Sequence, residues 1–293
     1  MKRIAVLDIG GTSIKSGILA DGKLQDVREQ DTNAKNGGAY VMERAREILR
    51  TYGTFDAIGI STAGQVDSRQ GCIRYANENI PGYTGMKIRD ILQEEFGVPV
   101  AVENDVNAAA LGEACFGAGR GDRDFLCITY GTGVGGAIIL NHEVYTGSMF
   151  SAGEFGGILI HPEDRAAGQP FSGCYEKYGS TTALVRMARE YDDSLDNGRK
   201  IFARISEEPV RRIVDRWIDE IVYGLISVIH IFNPSRIVLG GGVMAQPYII
   251  EQVREKTSRE IMDSFRNVEL VQAELGNHAG LLGAASLAQK LLI

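Results

Sequence analysis

The chain has 293 residues, of which 44% are hydrophobic and 24% are charged, an ordinary balance for a folded globular protein. Its length allows two domains with sizeable cores or one large domain. The formal net charge is -7, which argues against a nucleic-acid-binding protein, because nucleic acid phosphates require a basic surface. No apolar run is long enough to cross a bilayer, and the first strand is too short for the core of a signal peptide. We therefore expect a cytoplasmic protein whose partners are small molecules, with no nucleic acid and no membrane.

The predicted elements alternate between strands and helices along the chain. Short apolar runs predict strands at residues 4–7, 57–60, 100–102, 125–129 and 237–239. Apolar stripes at helical spacing predict helices at residues 38–51, 88–96, 107–116, 181–190, 208–231, 247–259 and 281–292. Ser180 is the predicted N-cap of the helix that follows it. Strands that alternate with helices favour an α/β fold.

One segment of the sequence occurs twice. Residues 11–24 align without gaps on residues 131–144, and each copy follows an apolar strand. Each copy consists of a Gly-Thr turn, a strand, a polar turn and a second strand, which is typical of a β-hairpin. Two such hairpins predict two domains of similar design that face one another.

The first hairpin has the residue types of a phosphate-binding loop. Its sequence is Asp8-Ile9-Gly10-Gly11-Thr12-Ser13-Ile14-Lys15. Glycines such as Gly10 and Gly11 let backbone N–H groups approach phosphate oxygens closely, and Thr12 adds a hydroxyl donor. Asp8, at the strand end, could hold Mg²⁺ through a water, because Mg²⁺ keeps several of its own waters. The alternative is a plain hairpin turn that binds nothing.

Two further glycine-rich turns could contact the same nucleotide. Gly131-Thr132-Gly133 could bind the phosphates from the other side. Gly240-Gly241-Gly242 follows a strand and precedes a helix, where it could form a floor for adenosine or serve as an ordinary αβ turn. The chain has no Walker A loop, and no Gly-x-Gly-x-x-Gly pattern stands in the context that a dinucleotide site needs.

A carboxylate at a predicted helix start is the candidate catalytic base. Val102-Glu103-Asn104-Asp105-Val106-Asn107 joins a strand to a helix. Asp105 lies near the helix N-terminus, where the backbone dipole stabilises its anion. One interpretation is structural, with Asn104 or Asp105 as the N-cap. The other is a general base that takes the proton of a sugar hydroxyl as this hydroxyl attacks phosphorus, while Mg²⁺ and backbone N–H groups neutralise charge.

Three further polar residues could hold the sugar. Asn104 can donate and accept hydrogen bonds, and Glu154 and Glu176 can each accept from paired hydroxyls. The glutamates lie in the glycine-containing segments Gly153-Glu154-Phe155-Gly156 and Gly173-Cys174-Tyr175-Glu176. Taken singly, each glutamate is also compatible with an ordinary surface carboxylate.

At these residues the chain resembles the ROK family (repressors, open reading frames, kinases) of the actin-like ATPase and sugar-kinase superfamily. The resemblance covers essentially the whole chain, with the motifs in order. Besides the three glycine-rich turns and the two glutamate segments, the motifs are Ser61-Thr62-Ala63-Gly64-Gln65-Val66-Asp67, Glu103-Asn104-Asp105-Val106-Asn107-Ala108-Ala109 and Ala279-Gly280-x-x-Gly283-Ala284. Each motif is weak alone, but their ordered combination is specific.

The resemblance implies an α/β, two-domain actin-like ATPase (ribonuclease H-like) fold with a cleft between the domains. It implies an N-terminal domain of residues 1–117, to which a final helix in residues 279–293 returns, and a C-terminal domain of residues 118–278. Sugar and ATP would meet in the cleft, and the protein would be a homodimer.

The resemblance also implies the roles of individual residues. Asp105 would be the catalytic base, and Gly64, Asn104, Asp105, Glu154 and Glu176 would contact the sugar. ATP would be bound by Asp8, Gly10, Gly11, Thr12, Lys15, Gly131, Thr132, Gly133, Gly240, Gly241 and Gly242, with Mg²⁺ held by Asp8 through water.

The sequence departs from the family pattern at a metal site. Most members follow Gly-Glu-x-Gly with a histidine and then carry a Cys-x-Cys-Gly-x-x-Gly-Cys run that binds structural zinc. Here the histidine position is Gly157, the first two cysteine positions are Ala167 and Gln169, and only Cys174 remains. One soft ligand cannot form a tetrahedral zinc site, so we predict no zinc. We interpret the chain's own histidines as structural or surface residues: His142, His161, His230 and His278.

The same departure bears on the substrate. In the family, the missing histidine also touches the sugar near its anomeric end, so Gly157 would open space there. This resembles the zinc-less β-glucoside kinases of the family. We therefore expect ATP-dependent phosphorylation of the 6-hydroxyl of glucose or of a β-glucoside. The alternative is another hexose, such as fructose, mannose or N-acetylmannosamine.

Three functions other than that of a kinase are disfavoured by the sequence. A sugar-sensing repressor of the same family would carry a helix-turn-helix domain before Asp8, where seven residues stand. A non-catalytic sugar- or nucleotide-binding module is disfavoured by the presence of Asp105 and of both phosphate loops. An acyl or carboxylate kinase is disfavoured because a glutamate-lined pocket would repel an anionic substrate.

Overall fold

A computed structural model describes residues 2–293, which form twelve strands and nine α-helices. The strands are β1 (Arg3–Ile9), β2 (Ser13–Ala20), β3 (Lys23–Asp31), β4 (Ala57–Thr62), β5 (Gln65–Asp67), β6 (Cys72–Tyr75), β7 (Val100–Asn104), β8 (Phe125–Tyr130), β9 (Val134–Leu140), β10 (Glu143–Val144), β11 (Arg236–Gly240) and β12 (Glu269–Gln272). The helices are α1 (Gly38–Arg50), α2 (Ile88–Phe96), α3 (Asp105–Phe116), α4 (Glu176–Gly179), α5 (Thr181–Tyr191), α6 (Gly198–Ala203), α7 (Glu208–Phe232), α8 (Pro247–Glu260) and α9 (Ala279–Lys290). Within residues 2–293, no helix combines the length and apolar character needed to span a membrane.

The chain divides into two compact units. Unit 1 contains the residues up to Gly121 together with residues 142–152 and 277–293, and unit 2 contains residues 122–141 and 153–276. Each unit has its own mixed α/β architecture, as the predicted fold class requires.

Unit 1 is built on a five-stranded sheet with the order β3-β2-β1-β4-β7. β1, β2 and β3 pair antiparallel, whereas β4 pairs parallel to β1 and β7 pairs parallel to β4. Nearly every residue of β1 and β4 is buried, which is typical of strands covered on both faces. Because β1, β4 and β7 run parallel, their carboxyl ends lie at the same edge of the sheet, at Ile9, Thr62 and Asn104.

Unit 2 repeats this design. Its sheet contains the order β9-β8-β11-β12, in which β8 and β9 form an antiparallel hairpin and β11 and β12 run parallel to β8. The segment repeated in the sequence therefore corresponds to β2 with the start of β3 and to β9 with β10, and each copy directly follows a strand, β1 or β8. The two domains of similar design that the repeat predicted are present.

Close packing against α9 fixes the position of α3 in unit 1. An added Cβ at Gly283 would lie 1.6 Å from the carbonyl oxygen of Ala108, and one at Gly112 would lie 2.3 Å from that of Ala279. Only glycine allows two helix backbones to approach so closely. Since α3 begins at Asp105, this crossing also orients the predicted catalytic base.

The core of unit 2 is organised around α7. Trp217 is fully buried and donates its indole N–H to the carbonyl oxygens of Gly179 and Ser180, at 3.1 and 3.0 Å. The hydroxyl of Tyr175 donates to the carbonyl oxygen of Ile221 at 2.8 Å. These bonds attach the segment around α4 to the long helix and satisfy polar groups that burial would otherwise leave unpaired.

The observed helices and strands follow the predicted ones, with shifts at their ends. The helix predicted from residue 107 begins at Asp105, and the strand predicted at residues 57–60 continues to Thr62. Ser180 caps α5 as predicted, because its hydroxyl accepts from the N–H of Ala183 at 3.2 Å. The sequence did not predict α4, α6, β12 or the short β5–β6 hairpin, which carry weak periodic signals because they are brief.

Candidate active site

Asp105 is the first residue of α3, and Asn104 caps that helix. Oδ1 of Asn104 accepts from the backbone N–H groups of Val106 and Asn107, at 2.9 and 3.2 Å. Nδ2 of Asn104 donates to Oδ1 of Asp105 at 2.9 Å. The N-cap is therefore Asn104, and it orients the carboxylate of Asp105, whose Oδ1 also accepts from the N–H of Val106 at 2.9 Å.

Gly64 lies beside Asn104, and its predicted contact with the sugar stays a prediction. Its carbonyl oxygen accepts from Nδ2 of Asn104 at 3.0 Å. Gly64 has a φ of 102°, and an added Cβ would lie 3.0 Å from the carbonyl oxygen of Tyr75. Both features favour glycine here, and they hold the loop after β4 against the start of α3.

A buried carboxyl, Glu103, supports the same turn. Its Oε1 accepts from the backbone N–H of Asn104 at 2.8 Å and from Nδ2 of Asn107 at 3.1 Å. Burial raises the pKa of Glu103, and the hydrogen bonds that it accepts oppose this rise. No role was predicted for Glu103 from the sequence, because its hydrogen bonds to Asn104 and Asn107 exist only after the turn has formed.

Asp8 lies near the C-terminal end of β1, between Ser61 and Lys15. The Ser61 hydroxyl donates to Oδ1 of Asp8 at 2.6 Å, and Nζ of Lys15 lies 3.8 Å from Oδ2. Gly280 of α9 approaches from a third side, since an added Cβ would lie 3.0 Å from Oδ1 of Asp8. Ser61 belongs to a motif that the sequence singled out, but its bond to Asp8 was not predicted.

The carboxyls of Asp8 and Asp105 act on each other electrostatically. Burial and the nearby Asp8 carboxylate raise the pKa of Asp105 to about 6. The pKa of Asp8 is also raised, chiefly by burial, although Ser61 and Lys15 oppose the rise. A carboxyl with such a pKa is ionised at neutral pH and is more basic than an ordinary aspartate, as a general base requires.

Gly10, Gly11 and Thr12 form the tip of the β1–β2 hairpin. The N–H of Gly10 donates to the carbonyl oxygen of Ser13 at 2.9 Å and closes the turn. Gly11 and Thr12 are exposed, and an added Cβ at Gly11 would meet no atom within 4 Å. The tip therefore presents open backbone, as a phosphate loop requires, and its contact with phosphate stays a prediction.

Glu176 lies against the corresponding tip in unit 2, formed by Gly131, Thr132 and Gly133. The N–H of Gly131 donates to the carbonyl oxygen of Gly133 at 2.9 Å. An added Cβ at Gly133 would lie 2.1 Å from Oε2 of Glu176, which also accepts from the N–H of Val134 at 3.3 Å. A larger residue at position 133 would therefore displace the carboxylate of Glu176 from the space that it occupies.

Glu154 lies in a segment packed tightly against β9. An added Cβ at Gly136 of β9 would lie 2.3 Å from the ring of Phe155, so this strand must carry glycine there. The surrounding protein raises the pKa of Glu154 by desolvation, and the carboxylate of Glu176 raises it further. Solvent moderates both effects, because the Glu154 side chain is exposed. The structure therefore brings the two predicted sugar ligands of unit 2 close enough to repel each other.

A cavity of about 870 Å³ lies beside this hairpin in unit 2. Gly131, Thr132 and Gly242 line it, so two of the glycine turns predicted for ATP meet at one cavity. Gly241 has a φ of 102°, and an added Cβ would lie 2.2 Å from the carbonyl oxygen of Tyr130. The turn that follows Gly240 therefore packs directly on the end of β8. The volume is that of a small-molecule site.

Part of this cavity was missed by the sequence analysis. Thr182 of α5 lines it and donates to the carbonyl oxygen of Thr132 at 2.8 Å. Asn197 caps α6 and lines the cavity together with Arg199 and Phe202. The available signal was the Asn-Gly pair that opens α6, a pattern of helix caps that indicates no ligand.

A second cavity, of about 930 Å³, lies elsewhere in unit 2. Its lining includes Glu190, Glu208, Arg212 and Asp219 and none of the predicted site residues. Four carboxylate and two guanidinium side chains line this second cavity, whereas backbone of the glycine turns borders the first.

The donor groups around Asp8 fit a magnesium ion. Mg²⁺ binds few protein carboxylates and keeps most of its waters, so one aspartate with a neighbouring hydroxyl from Ser61 is a suitable set. Burial is the main cause of the raised pKa of both Asp8 and Asp105, and a bound cation would favour the ionised form of each carboxyl.

The positions where the family carries zinc ligands are arranged differently here. Gly157 is exposed, and Cys174 is buried beside a backbone bridge to Leu159. Residues 2–293 contain no group of three or more His, Cys, Asp or Glu side chains placed to hold a metal ion. That the protein works without zinc stays a prediction.

The two sheets, each with a glycine-tipped hairpin, and the carboxylates at the strand ends of unit 1 define a sugar kinase of the actin-like fold. The chain belongs to the ROK family, whose sequence profile matches residues 4–291.

Relatives and solved structures resemble the chain over its whole length. A glucokinase of Thermotoga maritima is 34% identical over 309 residues, which cover 98% of this chain and 97% of the relative. A β-glucoside kinase of Listeria monocytogenes is 33% identical over 293 residues, which cover 96% of each. The structure of a ROK family glucokinase from Streptomyces griseus in complex with glucose and AMPPNP has a TM-score of 0.85 and 30% identity, and the match covers 98% of this chain and 99% of that one.

Proposed function

We propose that this kinase transfers the γ-phosphoryl group of ATP to the 6-hydroxyl of glucose or of a β-glucoside, with Asp105 as the general base. The observation that carries the proposal is the state of Asp105: its carboxylate is held by Asn104 at a helix N-terminus, and its pKa is raised to about 6. A base with this pKa can accept the hydroxyl proton as the sugar oxygen attacks phosphorus. The bond between the γ-phosphorus and its bridging oxygen then breaks, which yields the sugar 6-phosphate and ADP.

The phosphate groups of ATP are assigned to the two hairpin tips. Gly10, Gly11 and Thr12 offer open backbone in unit 1, and Gly131 and Thr132 line the cavity of unit 2. We assign the adenosine to that cavity, over the turn formed by Gly240, Gly241 and Gly242. Lys15 lies within ion-pair distance of Asp8. Its positive charge partly offsets the negative charge of Asp8, which reduces the repulsion between Asp8 and the phosphates.

Magnesium, when bound, would neutralise charge on the transferred phosphoryl group. Asp8 would hold it through water, and the Ser61 hydroxyl keeps the Asp8 carboxylate in one orientation. The acidic pair formed by Asp8 and Asp105 makes the same region unsuited to ATP without a divalent cation.

We propose that the residues which contact the sugar are Gly64, Asn104, Asp105, Glu154 and Glu176. Asn104 can both donate and accept, and the glutamates accept from hydroxyl pairs. The mutual repulsion of the two carboxylates supports a ligand that donates hydrogen bonds to both, which a neutral sugar does and an anionic one cannot.

Gly157 supports tolerance of a substituent at C1. The residue is exposed, and an added Cβ would meet only the ring of Phe171, at 4.0 Å. In the family pattern a histidine stands at this position, so the glycine leaves room where that side chain would project. The relative named as a β-glucoside kinase agrees with this choice. We also propose a cytoplasmic location, which an ATP-dependent reaction of this kind would fit.

The test is a substrate panel with ATP and Mg²⁺. We expect turnover of glucose and of cellobiose, with weaker turnover of fructose, mannose and N-acetylmannosamine. Turnover of N-acetylmannosamine alone would refute the glucoside assignment while leaving the kinase class intact.

Asp105→Asn separates a kinase from a non-catalytic sugar sensor. The amide keeps the shape of the carboxylate but cannot accept the proton, so transfer should be lost while glucose binding, measured by calorimetry, persists. If transfer survived within about tenfold, which corresponds to only about 1.4 kcal/mol of barrier, Asp105 would not be the base.

A further inference from the structure

The chain between Glu154 and Glu176 folds back on itself. The N–H groups of Ile160 and His161 both donate to the carbonyl oxygen of Gly173, at 3.0 and 2.9 Å. The N–H of Tyr175 donates to the carbonyl oxygen of Ile158 at 2.7 Å. Residues 158–161 therefore pair with residues 173–175, and the latter lead directly into Glu176.

His161 ties this paired segment to α7. Its Nε2 lies 2.6 Å from Oε2 of Glu220 on α7, and its Nδ1 lies 2.8 Å from Oε1 of Glu163. The ring also packs on Tyr178, with centroids 4.2 Å apart, and meets Tyr223 of α7 edge-on at 6.2 Å. The side chains of His161 and Glu220 are each 20% exposed.

Both ring nitrogens of His161 face carboxylate oxygens, which accept hydrogen bonds and cannot donate them when ionised. A neutral imidazole has one N–H and could satisfy only one of these partners, whereas the imidazolium satisfies both. Partial burial lowers the pKa of His161, but its bonds to Glu163 and Glu220 outweigh this effect and hold the pKa above its ordinary value.

The other groups near the ring also favour the cation. Tyr178, which stacks on it, donates its hydroxyl to the carboxylate of Asp164. The cation that acts on Tyr178 is Arg186, while Glu220 acts on it from α7. Tyr223 brings an uncharged aromatic edge. The charges that act on His161 itself are the two carboxylates of Glu163 and Glu220.

We infer that protonated His161 is a positioning residue for sugar binding: by bridging Glu220 of α7 and Glu163, it holds the paired segment between Glu154 and Glu176 in place. The inference rests on the proposed roles of Glu154 and Glu176 as sugar ligands. The link to α7 adds to the buried bonds of Tyr175, so its loss loosens the two glutamates without unfolding unit 2. The bridge joins two residues that are 59 positions apart, His161 and Glu220. His161 precedes the positions at which the family pattern has cysteines.

The direction of the pH effect follows from the raised pKa of His161. A histidine of this kind contributes stability that is fully present below its ordinary pKa of about 6.5 and is lost as pH rises through the folded-state value. The bridge therefore opens on the alkaline side. The KM for the sugar should rise there by about fivefold, the effect of losing one net hydrogen bond, while kcat stays unchanged.

The experiment compares the wild type with His161→Gln and Glu220→Gln from about pH 6 to about pH 8.5. Glutamine at position 161 can bond to one carboxylate but carries no titrating charge, so its KM for glucose should be raised and flat with pH. Glu220→Gln keeps an acceptor and removes a charge, so it should move the wild-type inflection to lower pH. A His161→Gln enzyme with the wild-type pH dependence would overturn the inference.

His142→Gln is the matched control, because His142 is also a histidine, is exposed and lies in unit 1. Its pH profile should equal that of the wild type. A second readout does not depend on catalysis: the His161 ring signal in an NMR titration should move at a pH above about 6.5, and titration at or below that value would also overturn the inference. If no sugar is phosphorylated at all, the proposed function fails, whereas the NMR titration and glucose binding by the two variants still decide on the bridge.

Discussion

At the scale of single residues, the site depends on carboxylates placed where their charge is unfavourable. Glu103, Asp105 and Asp8 all have a raised pKa, and burial is the first cause in each case. Burying an ionised group costs free energy unless it is paired, so the surrounding structure must supply the hydrogen bonds that keep these groups in place. Perturbed carboxyls of this kind mark functional sites more often than structural ones.

The first prediction concerns the pH dependence of transfer. With the pKa of Asp105 at about 6, kcat/KM for glucose should fall as pH drops below about 6, by about tenfold per pH unit, because the protonated acid cannot accept the hydroxyl proton. Steady-state rates between about pH 4.5 and pH 8 measure this. A profile that stays flat down to about pH 4.5 would show that Asp105 has an ordinary pKa or no part in the step.

The second prediction uses the same residue and concerns stability. An acid whose folded-state pKa is raised from 3.8 to about 6 loses native-state stability as pH rises through that window. Asp105→Asn should therefore match the wild type near about pH 4 and be more stable above about pH 6, by at most about 3 kcal/mol. Urea unfolding of ligand-free protein at the two pH values checks this, and an equal difference at both values would contradict it.

The third prediction concerns Gly157. A histidine there should lower kcat/KM for cellobiose by about tenfold or more while changing that for glucose much less, because the added side chain enters the space proposed for the C1 substituent. Gly157→Ala is the control, since its Cβ would have a single neighbour at 4.0 Å and should leave both substrates unaffected. Equal losses for both substrates would place the C1 group elsewhere.

At the scale of elements, the position of Asp105 is decided by a helix crossing and by a capped turn. α3 and α9 meet at Gly112 and Gly283, where the backbone of one helix touches that of the other. Asn104 then fixes the first turn of α3 through two backbone N–H groups. A change at the crossing therefore acts on catalysis through the orientation of the helix, without contact with any substrate.

The fourth prediction tests this crossing. Gly283→Ala places a Cβ 1.6 Å from the carbonyl oxygen of Ala108, so the helices must separate, and unfolding free energy should fall by about 2 kcal/mol or more. Any folded enzyme should also show reduced kcat. Gln289→Ala, exposed on the same helix, is the control and should change neither. If Gly283→Ala had the unfolding free energy of the wild type, the helix crossing would accommodate a Cβ and the prediction would be wrong.

At the scale of the whole molecule, the two units share one design but carry different parts of the chemistry. Unit 1 supplies the proposed base and the Asp8 hairpin, and unit 2 supplies the cavity and the two glutamates. Exposed apolar side chains remain near the C-terminal end of α7, with Ile231 exposed by 69% and Met262 by 61%. Such residues at a helix end fit the homodimer that the family resemblance implied.

The fifth prediction addresses that homodimer. Ile231→Asp should convert a dimer into monomers in sedimentation velocity at micromolar concentration, because it places a charge in the proposed apolar contact. Tyr191→Asp, at an exposed aromatic of α5, is the control and should leave the mass unchanged. A wild-type protein that sediments as a monomer would contradict the predicted homodimer.

The sequence by itself determined those features that depend on near neighbours along the chain. Hairpin tips are encoded by adjacent glycines, helix starts by Ser180 and Asn104, and helices by the spacing of apolar residues, because these signals act within a few positions. The order of motifs then indicated the family, the fold class and the kinase activity. Asp105 was found in the same way, since a carboxylate at a helix start is a local pattern.

Only the tertiary structure decided which distant groups meet. Glu176 lies against Gly133, Ser61 donates to Asp8, and His161 reaches Glu220, although no sequence pattern joins these pairs. The walls that α5 and α6 give to the cavity were equally invisible. The physical reason is that such contacts, and the pKa shifts that they produce, depend on burial and through-space distance, which exist only after the strands and helices have packed.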